Sequence, residues 1–274
     1  MAISIEDIKK LRALTNAGLA DCKKALTDAN GDMEKAGELI RERGLAIAAK
    51  RSDREASEGC VLVKVDGNFG AIIALKCETD FVAQNADFVA LTQQILDAAV
   101  ANRCKTLDEV NALTINGESV PALVTARSGV TGEKMELDGY LTVEGESLSA
   151  YNHQNKNQLC TLVALNKVVA EEYGHNVAMQ VAAMNPVSID KDDVPEAIRE
   201  QEFKIAVEKT REEGKPEKLV EQIAQGRMNK FYAEQCLLRQ AYIMDGSLSV
   251  GKYLQQADKA CTVTAFKRFT LRAE

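Results

Sequence analysis

Residues Ala71-Ile72-Ile73-Ala74-Leu75-Lys76-Cys77 form an almost unbroken apolar run of strand length, and the run gives way at once to Thr79-Asp80-Phe81. Apolar residues then recur at Phe88, Leu91, Ile95, Leu96 and Ala99, which is helical spacing. A buried strand followed so closely by a 3.6-residue period requires a strand-to-helix corner at 79–81. Thr79 or Asp80 is the predicted N-cap, because either side chain can accept a bond from the first free backbone amides. Val82 onward, including Phe88, is predicted to continue as one helix. A Phe beside an Asp at such a corner can point outward, towards another molecule. Periodicity alone favours the opposite reading, a core aromatic capping the sheet, because large apolar residues are mostly buried.

The segments around this corner divide by pattern. Residues 1–44 read as three helices. Ser4 with Asp7 resembles a capping box, and Ile5, Ile8, Leu11 and Leu14 make an apolar stripe that Asn16-Ala17-Gly18 breaks. The second helix, about 19–29, carries Leu19, Cys22, Ala25 and Leu26 on one face, and Asn30-Gly31 is a turn signal. Asp32 caps a third helix, with Gly44 as its C′ residue. Residues 45–58 read as a linker, helical at first. From Gly59 the pattern is strand: 60–65 and 71–77 form a hairpin around Asp66-Gly67-Asn68. A second strand-rich region begins near Lys134, with Leu159 to Leu165 as another apolar run and a helix through Val177 and Val181 closed by Pro186. The order strand–strand–helix thus appears twice.

Residues 193–230 differ again. Pro195 opens a helix that ends at Gly214, and Lys215-Pro216 opens its antiparallel return, the stop–start signature of a helical hairpin. Each helix, at about 18 residues, spans roughly 27 Å. Charges of both signs cover the faces, as expected of a thin coiled-coil-like arm in water. Val250 to Ala257 reads as helix, and Cys261 to Leu271 as the last strand.

Composition narrows the function. The chain has 274 residues, 46% of them apolar, with a formal net charge of −7 and no Trp. An acidic chain lacks the basic face that phosphate binding needs, so direct nucleic-acid binding is not expected. No apolar run reaches the ~18 residues of a membrane helix, and the N-terminus has no basic flank or apolar stretch of a signal peptide. Seven cysteines, without C-x-x-C, read as buried thiols in a reducing cytoplasm. The only histidines are His153 and His175, and no H-x-x-x-H or H-E-x-x-H zinc motif occurs. Neither nucleotide fingerprint and no G-x-S-x-G elbow is present. Glu171-Glu172 and Asp192-Asp193 read as solvated faces. No cofactor, metal site or enzyme is expected.

Three stretches resemble bacterial translation elongation factor Ts. They are Leu11-Arg12 with Asp21-Cys22-Lys23-Lys24-Ala25-Leu26 and Ala29-Asn30-Gly31-Asp32; Cys77-Glu78-Thr79-Asp80-Phe81-Val82-Ala83; and Gly214-Lys215-Pro216 with Gly226-Arg227-Met228-Asn229-Lys230-Phe231. The resemblance implies an α+β fold with four parts: an N-terminal three-helix ubiquitin-associated-like domain (1–54 with its linker), a core of two subdomains with antiparallel sheets (55–140 and 141–274), a helical hairpin inserted at about 193–230, and in some relatives a C-terminal helix. This chain, ending at Arg272-Ala273-Glu274, is expected to lack that last helix.

The same resemblance implies a function: a cytoplasmic guanine-nucleotide exchange factor for GDP-bound elongation factor Tu. In the family, the pair matching Asp80 and Phe81 enters between helices of the GTPase domain near Mg²⁺ and the phosphates, with Thr79 and Val82 beside it. Thr131, Gly132 and His153 align with further contact positions, and Arg12, Leu19 and Lys23 lie on the N-terminal unit that docks on the GTPase domain. Relatives act with Tu singly or pair through the core as homodimers. The alternative function is a scaffold that holds Tu in a larger assembly.

Overall fold

The computed structural model describes residues 3–15, 17–51 and 53–271; Asn16 of the expected helix break, Ser52 of the linker and the terminal Arg272-Ala273-Glu274 lie outside them. Two compact units organise the described residues: one gathers those within 3–62 and 73–141 together with Leu271, the other 63–72 and 142–270.

The first unit begins with α1 (Ile5–Thr15), α2 (Leu19–Asp28) and α3 (Met33–Lys50). The Ser4 hydroxyl accepts from the Asp7 amide at 3.0 Å, and Asp32 Oδ1 accepts from the amides of Glu34 and Lys35, so both predicted N-caps form. Leu11, Ala17, Cys22, Ala25, Leu26, Ala29 and Ala36 make the small core. Its stripe is narrower than predicted: Ile5, Leu14 and Leu19 are exposed. The third helix does not stop at Gly44 but continues to Lys50. Gly44 lies inside it at a close helix crossing, where a Cβ on Gly129 would stand 2.2 Å from the Gly44 Cα.

Strands β1 (Glu58–Asp66) and β2 (Phe69–Cys77) follow, and the turn end of this hairpin, residues 63–72, is counted with the second unit. Gly67 turns between them at φ +57°, as the hairpin reading required. After β2 the predicted single helix is two: α4 (Asp80–Ala83) and α5 (Ala86–Ala101). They separate because Asn85 caps α5, its side chain accepting from the amides of Asp87 and Phe88. Then come α6 (Leu107–Asn111), the two-residue ladder of β3 (Thr114–Ile115) with β4 (Glu118–Ser119), α7 (Val120–Thr131) and β5 (Met135–Glu144). The β5 strand hydrogen-bonds to β2, giving a three-stranded sheet in the order β1-β2-β5.

The second unit holds β6 (Ser147–Asn152), a single 3₁₀ turn His153–Asn155, β7 (Leu159–Leu165), α8 (Glu171–Met184), α9 (Glu196–Glu212), α10 (Glu217–Gln235), β8 (Ala241–Tyr242), β9 (Asp245–Ser249), α11 (Val250–Ala257) and β10 (Val263–Thr270). Its sheet runs β10-β7-β6, antiparallel on both sides of β7. Thr161 in the middle of β7 faces Tyr151 on one neighbour and Arg268 on the other. The strand read at 135–143 therefore belongs to the first sheet, and β6 is the true opening strand of the second. Each sheet is built the same way: two consecutive strands, helices, then a third strand beside the second. Behind the second sheet, Val163, Leu165, Val177, Val181, Leu237, Val250 and Leu254 share one core.

The arm formed by α9 and α10 turns at Gly214, with φ +71°. Pro195 and Pro216 stand immediately before the two helices. Ala206, Thr210, Val220, Ala224 and Met228 are the residues it buries, so, Met228 apart, the seam is made of short side chains.

Candidate functional site

The corner at the end of β2 is assembled from short-range and long-range bonds together. Thr79 has an extended backbone, φ −125° and ψ 153°, and its hydroxyl accepts from the Val82 amide, so Thr79 rather than Asp80 is the cap. The one-turn α4 that follows buries none of its residues. Phe81 is 85% exposed, the most exposed of the large apolar residues described. Phe88, one turn into α5, is fully buried. The structure thus separates the two aromatics: Phe88 anchors and Phe81 is displayed. Asp80 is exposed beside it, and Val82 is half-buried.

A second segment holds this corner in place. Glu133, just after α7, accepts the amides of Glu78 and Thr79 on Oε2, each at 3.1 Å, and the Thr79 hydroxyl on Oε1 at 2.6 Å. Glu78 reciprocates: its carboxylate accepts the Lys134 amide at 2.6 Å, Arg51 Nη1 at 3.0 Å and Arg54 Nη1 at 3.2 Å. Partial burial works to raise the Glu78 carboxyl, but the Lys134 amide and the two guanidiniums outweigh it, and the group titrates below its ordinary value. Below the corner, the Cys77 thiol donates to the Thr79 carbonyl, and burial pushes that thiol up to about 12.

Thr131 and Gly132 belong to this construction. Thr131 is the last residue of α7, and Gly132 ends the helix in the left-handed region at φ +72°. The Glu133 amide donates to the Thr131 hydroxyl at 3.3 Å, and the Ser128 hydroxyl donates to the Glu133 carbonyl. On the far side, Arg127, only 8% exposed, donates to Asn85 Oδ1 at 2.9 Å and pairs with Asp87 at 3.0 Å. One helix end thus grips both flanks of the displayed ring.

The other expected contact residues are dispersed. Arg12 on α1 and Leu19 and Lys23 on α2 are exposed. His153 lies in the other compact unit. Its Nδ1 is 3.1 Å from the Tyr151 hydroxyl, and the Tyr151 ring also meets His175 edge-on at 5.5 Å. No group of three or more His, Cys, Asp or Glu placed to hold a metal occurs among the described residues, and none of the described helices is long and apolar enough to cross a membrane.

Sequence reasoning missed one surface. The turn between β8 and β9 exposes Ile243 and Met244, at 40% and 68%. Gln180, fully buried, props this turn: its carbonyl accepts the Ile243 amide at 2.8 Å, and its amide donates to Ala241 O and Gln240 Oε1. The signal was Ile-Met ahead of Asp245-Gly246, two apolar residues where a turn should be polar.

Relatives of known family align over the whole chain. The family model for elongation factor TS matches residues 78–273, which begins at the corner and runs to the last strand. Elongation factor Ts of Phocaeicola vulgatus is 52% identical over 330 residues, and that of Bacteroides fragilis 51% over 330. Elongation factor Ts of Porphyromonas gingivalis is 48% identical over 275 residues, and all three alignments cover the whole of both chains. The chain belongs to the elongation factor Ts family.

Proposed function

We propose that this chain is a cytoplasmic guanine-nucleotide exchange factor that binds elongation factor Tu·GDP and speeds GDP release by disturbing the Mg²⁺ and phosphate site, with no bond-making chemistry of its own. The observation that carries the reading is Phe81: an aromatic ring 85% exposed on a corner bonded on both flanks. An exposed ring on a mobile loop finds other shelter; one held out rigidly suits a matching cleft. Burying it would supply roughly 1.5–3 kcal/mol. Asp80 adds a charge beside the ring, with Thr79 and Val82 shaping the turn.

The chemistry of the target makes a wedge sufficient. Mg²⁺ needs near-ideal octahedral oxygen geometry, so small shifts of its ligands weaken it, and with it the nucleotide. Linkage requires that GDP weaken the exchange factor by the same factor by which the exchange factor weakens GDP. The final GDP/GTP equilibrium of free Tu is therefore unchanged, and only the rate rises. Arg12, Leu19, Lys23, Thr131, Gly132 and His153 are the further contact residues in this reading, and Ile243 with Met244 adds a second apolar patch.

Release of a fluorescent GDP from Tu, with and without the chain, tests it. Acceleration by catalytic amounts is expected. Binding without acceleration would leave a scaffold that holds Tu.

A further inference from the structure

The helix that presents Phe81 cannot hold itself. One turn of helix is below the length at which helices persist alone, and α4 buries none of its residues. Its order must be imposed from outside. The Thr79 cap is one source, but a threonine hydroxyl rotates freely unless something fixes it.

Glu133 fixes it. One carboxylate oxygen accepts a hydrogen bond from the Thr79 hydroxyl at 2.6 Å, which leaves the hydroxyl's lone pairs facing the Val82 amide. The other oxygen takes the amides of Glu78 and Thr79, so the last backbone bonds before the helix are also set. Bonds to a carboxylate are shorter and stronger than neutral ones. Glu133 is itself held at its amide by Thr131 and at its carbonyl by Ser128. The left-handed Gly132 turns the chain so that this carboxylate follows directly on α7.

We propose that Glu133 is a positioning residue for nucleotide exchange: it touches neither nucleotide nor metal, but locks the Thr79 cap and so aims Phe81. The proposal rests on the exchange reading above. Thr131, besides its contact role in the exchange reading, steadies Glu133 from within the chain by accepting its amide. A wedge aimed before contact loses less freedom on docking, and small misplacements of a positioned group are costly in rate.

The test compares the wild type with Glu133→Ala, Glu133→Gln, Phe81→Ala and the double variant Glu133→Ala/Phe81→Ala, measuring kcat and KM for GDP release from Tu. Glu133→Ala should lower kcat/KM by about tenfold to a hundredfold. Glu133→Gln, whose amide can still accept the two backbone N–H groups and donate to Thr79, should keep most of the activity. In the free protein, amide exchange at Glu78 and Thr79 should be faster in Glu133→Ala than in Glu133→Gln. The double variant should be no slower than Phe81→Ala alone, because a residue that acts only through Phe81 has nothing left to lose. Should Glu133→Ala not fold, Glu133→Asp, which withdraws the carboxylate by one methylene, takes its place in the same cycle. Wild-type rates in Glu133→Ala, or losses that multiply in the double variant, would overturn the proposal and leave the exchange reading intact. An inactive wild type would instead remove the exchange reading, and the proposal with it.

Discussion

Gly44 of α3 and Gly129 of α7 meet backbone to backbone: a Cβ on Gly129 would stand 2.2 Å from the Cα of Gly44. The relation is unequal, because a Cβ on Gly44 would lie 3.4 Å from the nearest atom, the Cα of Gly129. Gly129→Ala is therefore expected to push the helices apart and destabilise by about 1–3 kcal/mol. Gly44→Ala should stay within about 1 kcal/mol, with crowding set against the gain in helix propensity. Urea midpoints of the two variants check the asymmetry; equal losses would refute it.

Phe81→Ala should leave the urea midpoint almost unchanged, within about 0.5 kcal/mol, since surface changes away from packed features cost little. GDP release from Tu should nevertheless slow. A large fall in stability would show that the ring packs within the chain.

All seven cysteines are buried, and none is joined in a disulfide. Burial holds Cys60 and Cys77 protonated up to about 12, against an ordinary value of 9.0. The folded state thus binds these protons more tightly than the unfolded state. Their contribution to stability is fully present below pH 9.0 and is lost as pH climbs through about 12. Denaturation midpoints should decline over that window. At neutral pH the folded protein should resist alkylation until denaturant is added, and quick labelling of the folded chain would contradict this.

Glu78 behaves in the opposite sense. Its folded-state value lies below the ordinary 4.5, so its contribution is present above that value and is lost as pH falls through the folded one. Glu78→Gln should cost stability at neutral pH, and the gap to the wild type should narrow on acidification. A gap independent of pH would mean that the Arg51 and Arg54 pairing does not act through charge.

Met244→Asp should fold like the wild type, since the side chain is 68% exposed. Its affinity for Tu·GDP, read by titration, should fall if the β8–β9 turn is a contact. Unchanged affinity would remove that patch from the interface.

What the amino-acid order disclosed follows the range of the bonds involved. The Thr79 cap, the Ser4–Asp7 pair and the Gly214-Lys215-Pro216 turn were legible because each closes within a few residues. Glu133 was not: its partners lie 54 and 55 positions earlier, and a lone Glu in Gly132-Glu133-Lys134 has no local pattern. Gly44 misled because one residue type serves both a helix end and a helix crossing. The α7 segment escaped notice because its buried face, Val120, Val124, Arg127 and Ser128, is half polar. The β5 strand was readable as a strand, but an apolar alternation does not name its neighbour, so its place beside β2 emerged only in the fold. Phe81 was the hardest case, since an exposed ring and a core ring leave the same letter.

The architecture of the second sheet sets a timetable for synthesis. The central strand β7 meets β6 almost at once, but its other neighbour closes over a far longer loop, as in the bond from Thr264 to Ala164, 100 positions apart. At about 5–20 residues per second, a ribosome needs roughly 5–20 s to deliver that strand. Throughout that time the apolar edge Leu159–Leu165 stands unpaired, the kind of edge on which chains aggregate. The α9–α10 arm occupies much of the intervening chain, so shortening it would also shorten the interval in which the nascent protein is most vulnerable.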